Sequence, residues 1–441
     1  MSDFTSIDPT TMATQMANYD ILAMQTALKK QSSSLTAQRA ALSKLRESLS
    51  TFRSAITGMN SSSSAVLKNI ASMNQEGIAS ITASASARKG TYSLNVTQLA
   101  TAQQTGYGDL TDDSIRDASG TLSITIDGKS IDIEMDGLNS LADFAAAVNK
   151  AEFPDGDGSE KTGVTASLVR TDGKVMLMLS SDQSGEKNQI QLDTRGLSNP
   201  ALFDNGEEIS KAQNAKFTLG NSARVLESSS NTLDNLVDGV SIQLTGTTEA
   251  GKPLIISIDT DATATQEQVQ AFIDAYNALK DSFKELSASG SGGKTRGAFA
   301  GDASMSSLTG ELSNLLRGTF GEQNMTAFGI TADKDGKLKL DADVLKEQLK
   351  RDPQSVTGFF NGSSGLLKTM DKSLDKYLST TSGLLKGREE TLDREQKDID
   401  SKTEKMQARY DNSYNRYLKQ FTQLQQVMAQ MNNTMSMFGL V

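Results

Sequence analysis

The chain has 441 residues, 54 of them acidic and 44 basic, for a net charge of -10. At roughly 100–200 residues per domain, that length predicts about three domains. The acidic balance argues against a protein devoted to nucleic-acid backbones or anionic membranes. Histidine, cysteine and tryptophan are absent, which removes the imidazole acid or base, the Ser-His-Asp triad, disulfides and the common zinc, haem and iron–sulfur ligand sets. The expectation is a protein that is not an enzyme, with no cofactor, no metal and no catalytic residues.

The first residues, Met1 to Pro9, show neither a basic n-region nor an apolar h-region, so no cleavable signal peptide is expected. No run of 18 apolar residues occurs, so no membrane insertion is expected either. Aromatic residues make up only 5%, which suits long helices and modest cores.

From Ile21 an apolar residue recurs every seven positions: Ile21, Leu28, Leu35, Leu42, Leu49 and Ile56. A second line, three residues on, holds Met24, the polar Gln31 and Gln38, then Leu45, Phe52 and Met59. Heptads of this regularity without internal proline predict a coiled-coil helix. One flank carries only small residues (Ala27, Ser34, Ala41, Ser48, Ala55), so a partner helix can come close there; the other carries Arg39, Arg46 and Arg53 as a basic edge.

The middle of the chain changes period from seven to two. Leu122 to Ile126 and Ile131 to Met135 alternate on either side of Asp127-Gly128, a strong hairpin signal. A short amphipathic helix follows with Leu141, Phe144, Ala145 and Val148 on one face, and a second hairpin turns at Asp172-Gly173. Further strands are expected at Tyr92–Val96, Phe217–Leu219, Val240–Leu244 and Leu254–Ile258. Helical periodicity returns from Thr265, is interrupted by a Ser/Gly loop at Ser287 to Gly293 and a small hairpin at Leu338 and Leu340, and resumes.

The C-terminal segment is a second long amphipathic helix. Leu392, Gln396, Ile399, Thr403, Met406 and Tyr410 step by four and three, and the run restarts as Tyr414, Tyr417, Phe421, Leu424, Met428, Met431, Met435 and Phe438. The repeated step of four at Tyr410–Tyr414 reads as a stutter. Asp393 and Asp400 occupy the flank equivalent to the arginines, and in an antiparallel pair these like flanks are expected to meet and set the register, together with Gln31 and Gln38. The stripes either hold the chain together internally or bind other chains; their size favours other chains.

Three motifs are set aside. Ala288 to Thr295 nearly matches a phosphate-binding loop, but a helix precedes it where a buried strand is required. Asp333 and Asp335 suggest a calcium loop, but positions one and twelve would be Thr331 and Ala342, so the reading is a tight turn. Asp155, Asp157 and Glu160 read as solvated loop acids, and no pair of carboxylates is marked for glycoside hydrolysis.

The ordered motifs resemble those of one family. They include the stretch from Thr82 to Ala100 with Arg88-Lys-Gly90 and Tyr92-Ser-Leu94, then Asn231 with Val237 to Leu244, and Phe272 to Asn277. They continue through Gly297-Ala-Phe-Ala-Gly301-Asp302, Gly329-Ile330, Asp335 to Leu338, Asp352-Pro353, Phe359-Phe360 and Arg416 to Phe421. The set resembles the flagellar filament cap proteins, also called hook-associated protein 2. With the periodicities, it implies an elongated multidomain α+β protein in which terminal coiled-coil helices and a helical stalk carry two nested β-rich head domains. Residues 1–42 and 401–441 would be leg helices, 43–77 and 264–400 the stalk, 78–117 and 213–263 an inner head, and 118–212 an outer head.

The function so implied is a ring at the distal tip of the bacterial flagellum, extracellular, that retains exported flagellin and promotes its folding and insertion. The implied partners are further copies of the chain (a pentamer first, a tetramer or hexamer otherwise), flagellin and the filament tip, the flagellar type III export apparatus, and an export chaperone for the C-terminal helix. Ile21, Leu28, Leu35, Leu42, Leu49, Ile56, Tyr410, Tyr414, Tyr417, Phe421, Leu424, Met428, Met431 and Phe438 would form the oligomer or filament interface. The alternatives are another axial component, such as a junction protein or flagellin itself, or a surface adhesin acting through the outer head.

Overall fold

The computed structural model describes residues 8–61, 64–153, 162–171, 173–290 and 295–437, without the side chain of Asn235. Phe438, Asp172, the acids Asp155, Asp157 and Glu160, and residues 291–294 of the Ser/Gly loop lie outside the described residues. The chain divides into two compact units, Met1–Val66 with Thr263–Val441, and Leu67–Ala262.

The first unit opens with α1 (Pro9–Gly58), 50 residues of unbroken helix. Asp8 caps it, accepting hydrogen bonds from the amides of Thr10 and Thr11, while Pro9 stands where a helix needs no amide donor. Hydrogen bonds from the Thr10 hydroxyl first, then from the Thr11 hydroxyl and amide, hold the Asp8 carboxyl down at about 2. The heptad leucines and isoleucines are buried all along this helix, as the spacing requires of a continuous apolar seam.

The second unit is β-rich and holds two cores. In the first, a five-stranded antiparallel sheet runs in the order Asn69–Met73, Leu254–Thr260, Gly90–Gln98, Ala215–Leu219, Leu226–Ser228. A three-stranded sheet of Thr232–Val237, Val240–Leu244 and Ala79–Ala83 shares its core, where Leu94, Val96, Phe217, Ile242 and Ile256 are buried. Asn231 acts there as a substitute peptide: its Nδ2 donates to the Ala100 carbonyl and its Oδ1 accepts from the Ala100 amide, both at 2.8 Å.

The second core lies under a four-stranded sheet (Glu207–Ser210, Gln104–Tyr107, Lys174–Ser181, Val164–Thr171) and a three-stranded one (Lys129–Glu134, Thr121–Ile126, Gln191–Asp193). Helices α2 (Asp112–Arg116) and α3 (Leu141–Lys150) complete it. The expected hairpin is present, with Ile126 paired to Lys129 and both turn residues at positive φ, 49° for Asp127 and 75° for Gly128. That left-handed pair matches strand twist, which is why Asp-Gly closes a two-residue loop. Helix α3 buries the expected face, Leu141, Phe144, Ala145 and Val148.

The chain then returns to the first unit through α4 (Ala262–Leu286), α5 (Ala303–Leu316), α6 (Ala342–Arg351) and α7 (Gln354–Val356), which runs into a π-helical turn, Thr357–Asn361. It ends with α8 (Leu366–Leu378) and α9 (Leu384–Met437). Phe52 of α1 sits 6.4 Å from the Phe272 ring and 6.2 Å from Tyr276, and Phe360 closes on Phe272 at 5.6 Å. The hairpin Ile330–Ala332 with Leu338–Leu340 turns at Asp333 to Gly336, where the Asp333 carboxylate accepts from the amides of Asp335 and Lys337. Those bonds, the Lys337 amide foremost, lower its pKa; the carboxylate is spent on the turn. Asn277 holds this hairpin to α4 by a second peptide-like pair, to the Leu338 carbonyl and amide at 2.9 and 2.8 Å.

Candidate functional site

Helices of 50 and 54 residues with seven-residue apolar periods can bury those stripes by packing seam against seam, and α1 and α9 lie antiparallel against each other. Leu385, Leu392 and Ile399 are buried on α9 opposite the α1 heptads. The seven-residue line continues through half-buried Met406 to Ser413, which is 5% exposed. Tyr410, Tyr414 and Tyr417 flank it half-buried, with Tyr410 stacked on Tyr414 at 6.2 Å. The expected jump of the seam to Tyr414 is thus softened by a serine that keeps the older line.

Charged pairs mark the register. Arg39 meets Asp393 at 2.6 Å and Arg46 meets Glu389 at 3.1 Å. Arg53 turns instead to α8, with Asp371 at 2.6 Å and Asp375 at 3.2 Å. The Asp371 hydrogen bond in particular raises its pKa. The expected meeting of Asp400 with an arginine is not made: Asp400 accepts from Gln396 of its own helix at 2.8 Å. In an antiparallel pair with Arg39 beside Asp393, a step of seven along α9 is a step of seven back along α1. Asp400 is therefore level with Ser32 and its neighbours, where no arginine stands. Gln31 is exposed and Gln38 half-buried, with its Nε2 3.4 Å from Ser34 Oγ on the same helix.

Sequence reasoning missed three contact groups. Asp20 accepts from Ser413 Oγ at 2.9 Å, Arg416 at 3.1 Å and the Tyr417 hydroxyl at 3.3 Å. Glu311 of α5 gathers Ser373, Lys376 and Tyr377 of α8 at 2.6, 2.8 and 2.9 Å. Asp302 caps α5 and pairs with Arg388 of α9, whose guanidinium lies 5.2 Å from the Phe299 ring. Burial works against the Asp302 charge, but Arg388 and the amides of Met305 and Ser304 outweigh it and lower the pKa. The Gly297 to Asp302 motif thus has a structural reason. A Cβ at Gly297 would lie 2.3 Å from the Leu286 carbonyl, so only glycine lets this loop reach the end of α4.

Around this knot, Leu45, Met305, Leu308, Tyr377, Leu384 and Leu385 line an open groove of about 400 Å³. The far end of α9 is barer still. Leu424, Val427, Met431 and Met437 are 47, 59, 52 and 88% exposed, whereas Phe421 and Met428 are half-buried. With Asp20 beside Ser413 and Arg416, Pro9 lies level with Leu424 to Val427. Beyond that level roughly ten residues of α9, about 15 Å of helix, have no described residue of α1 beside them. Such an arrangement offers apolar stripes and polar register marks, which is the chemistry of helix association.

Among the described residues no group of three or more Asp or Glu is placed to hold a metal ion, and no helix is long and apolar enough to cross a membrane.

Comparison with known proteins places the chain. Residues 212–433 match the family described as flagellar hook-associated protein 2 C-terminus, and residues 5–103 its N-terminus. The lateral flagellar hook-associated protein 2 of Vibrio parahaemolyticus is 36% identical over 98% of this chain and 100% of its own length. The flagellar hook-associated protein 2 of Escherichia coli K12 is 31% identical over 81% of this chain and 80% of its own. The crystal structure of the D1-D2-D3 domains of the E. coli flagellar cap protein FliD superposes with a TM-score of 0.64 at 27% identity, covering 79% of this chain and 98% of that one. A helical unit closed by both ends of the chain, a β-rich insertion with two cores and this continuous likeness lead to one conclusion: the chain belongs to the flagellar hook-associated protein 2 family of filament caps.

Proposed function

We propose that the chain forms a ring, a pentamer in the first instance, at the distal tip of a flagellar filament, where it retains exported flagellin and promotes its folding and insertion. The observation that carries this reading is the uncovered apolar stripe of α9. Leu424 and Val427, level with the start of α1, and Met431, beyond the described residues of α1, stand in water, and each buried side chain of this kind gains roughly 1.5–3 kcal/mol. Helix ends of the filament lattice would supply that cover. In this reading residues 1–42 and 401–441 are legs that occupy grooves at the filament end and yield them one at a time. Gln31, exposed, and Gln38, half-buried, lie on the second heptad line, where polar residues would keep leg association weak enough for exchange. The two cores of the second unit correspond to an inner and an outer head, forming a plate over the exit. The type III apparatus would export the chain, with a chaperone covering its C-terminal helix beforehand.

Electron micrographs of the purified full chain test this directly. Small rings or back-to-back plates are expected; long filaments would instead identify a flagellin-like axial component.

A further inference from the structure

The apolar seam of α1 and α9 is indifferent to a slip of one heptad. Ile21, Leu28, Leu35, Leu42 and Leu49 recur every seven residues on one helix, and Leu385, Leu392, Ile399 and Met406 do so on the other. Sliding α9 by seven residues, about 10 Å, would again set apolar beside apolar, so polar contacts must choose the register. Near the start of α9 that task falls to Arg39–Asp393 and Arg46–Glu389.

Towards the far end few polar contacts are available. Between Pro9 and Leu28 the only charged residue of α1 is Asp20, and α9 has no charge from Gln420 to Met437. Asp20, with its side chain 24% exposed, is held by Arg416, the Tyr417 hydroxyl and the buried Ser413 hydroxyl. One heptad earlier α9 carries a near-copy of this group: Met406, Arg409 and Tyr410 stand in the places of Ser413, Arg416 and Tyr417. A slip in that direction leaves Asp20 an arginine and a tyrosine but exchanges the serine hydroxyl for a thioether. A slip in the other direction sets Asp20 against Gln420, Gln423 and Leu424, with no cation.

We propose that Asp20 and Ser413 are positioning residues that fix the register of the far end of the α1–α9 pair, Ser413 rejecting the competing register by supplying a donor that Met406 lacks. The register sets how far the bare stripe of α9 extends beyond α1, by the same 10 Å step of seven residues. Uncharged seam contacts alone leave that distance undetermined.

The chain has no native cysteine, so engineered pairs report register cleanly in the full-length protein. Ala13→Cys with Phe421→Cys samples the observed register, and Ala13→Cys with Tyr414→Cys the slipped one. In the otherwise unaltered chain the first pair should form its disulfide and the second should not. Exchanging the two residues (Ser413→Met with Met406→Ser) should move the ratio of yields towards the slipped pair by about tenfold or more, the effect of one hydrogen bond to a charged group. The near-isosteric Asp20→Asn should narrow the preference without that reversal. An unchanged ratio in both backgrounds, a slipped pair dominating in the unaltered chain, or neither pair closing at all would overturn the assignment. The readout is register itself, so the result stands apart from whether the chain caps filaments.

Discussion

The two ends of the α1–α9 pair are made of different materials. Near Leu49 and Phe52, α1 is enclosed: both residues are at most 1% exposed, Phe272, Tyr276 and Phe360 pack around them, and Arg53 spans two aspartates of α8. Near Asp20 the described residues of the pair make one ion pair, Asp20 with Arg416, and its outer faces carry Tyr19, Leu22, Leu424 and Met431 in the open. One helix therefore serves as core at one end and as an uncovered surface at the other. The lesson is that a regular heptad pattern specifies a seam and leaves open what covers it; aromatic neighbours and ion pairs decide where the seam is closed by the chain itself.

The enclosed end should be costly to damage. Phe52→Ala should destabilise the first unit by about 3–5 kcal/mol, the usual cost of a buried aromatic cavity, measured by urea unfolding of the full chain. A loss of stability below 1 kcal/mol would show that this end is as loosely packed as the other. Next in size is Asn361→Ala. Its Nδ2 donates to the Met59 carbonyl at 2.7 Å and its Oδ1 accepts from the Val66 amide at 3.0 Å, holding the exit of α1. Leaving those groups unpaired should cost about 1–3 kcal/mol, with faster hydrogen exchange at Val66.

Acid and base should both weaken the α5–α8 contact through Glu311 and Tyr377. The hydrogen bond from Lys376, then that from Ser373, holds Glu311 below its usual 4.5. Its contribution is therefore present above that value and lost as pH falls through the lower folded value. Burial first, and Glu311 second, push Tyr377 up to about 12, so its contribution is complete below 10 and fades as pH rises towards 12. Glu311→Gln should flatten the acid limb of stability against pH; an acid limb unchanged by it would remove Glu311 from the account. Smaller again, a double-mutant cycle on Arg39 and Asp393, which are 40 and 52% exposed, should return a coupling of only a few tenths of a kcal/mol. Smallest is Met431→Gln at the far end, with under ~0.5 kcal/mol on unfolding of the free protein but shorter filaments in cells. A large loss of stability there would erase the contrast between the ends.

Much of this was readable in advance, and the reasons are local. Asp127-Gly128 specifies its hairpin because both residues tolerate the left-handed turn, and the heptads of α1 specify their own burial. Flank positions that repeat with the seam put Asp393 on the side of the arginine edge, but they do not say which arginine it meets; the structure gives Arg39. The rest depends on contacts between distant segments. Glu389 rather than Asp400 meets Arg46 because the end of the connecting helices sets the offset, which no local pattern records. Asp20 and Ser413 are 393 residues apart, and a lone Asp in an apolar stretch was the only available sign of their contact. Strands such as Gln104–Tyr107 and Glu207–Ser210 lack clean alternation, so pairing rather than pattern makes them strands. The doubly bonded Asn231 and Asn277 explain motifs that the sequence displayed without a reason.

The central claim, that the far end is a surface for the filament, is tested most directly in cells lacking their own cap protein and supplied with their matching flagellin. The full chain is compared there with one lacking residues 1–42 and 401–441, with export of both confirmed. The account predicts filaments with the full chain and free flagellin in the medium with the trimmed one. Filaments of equal length from both chains would contradict it.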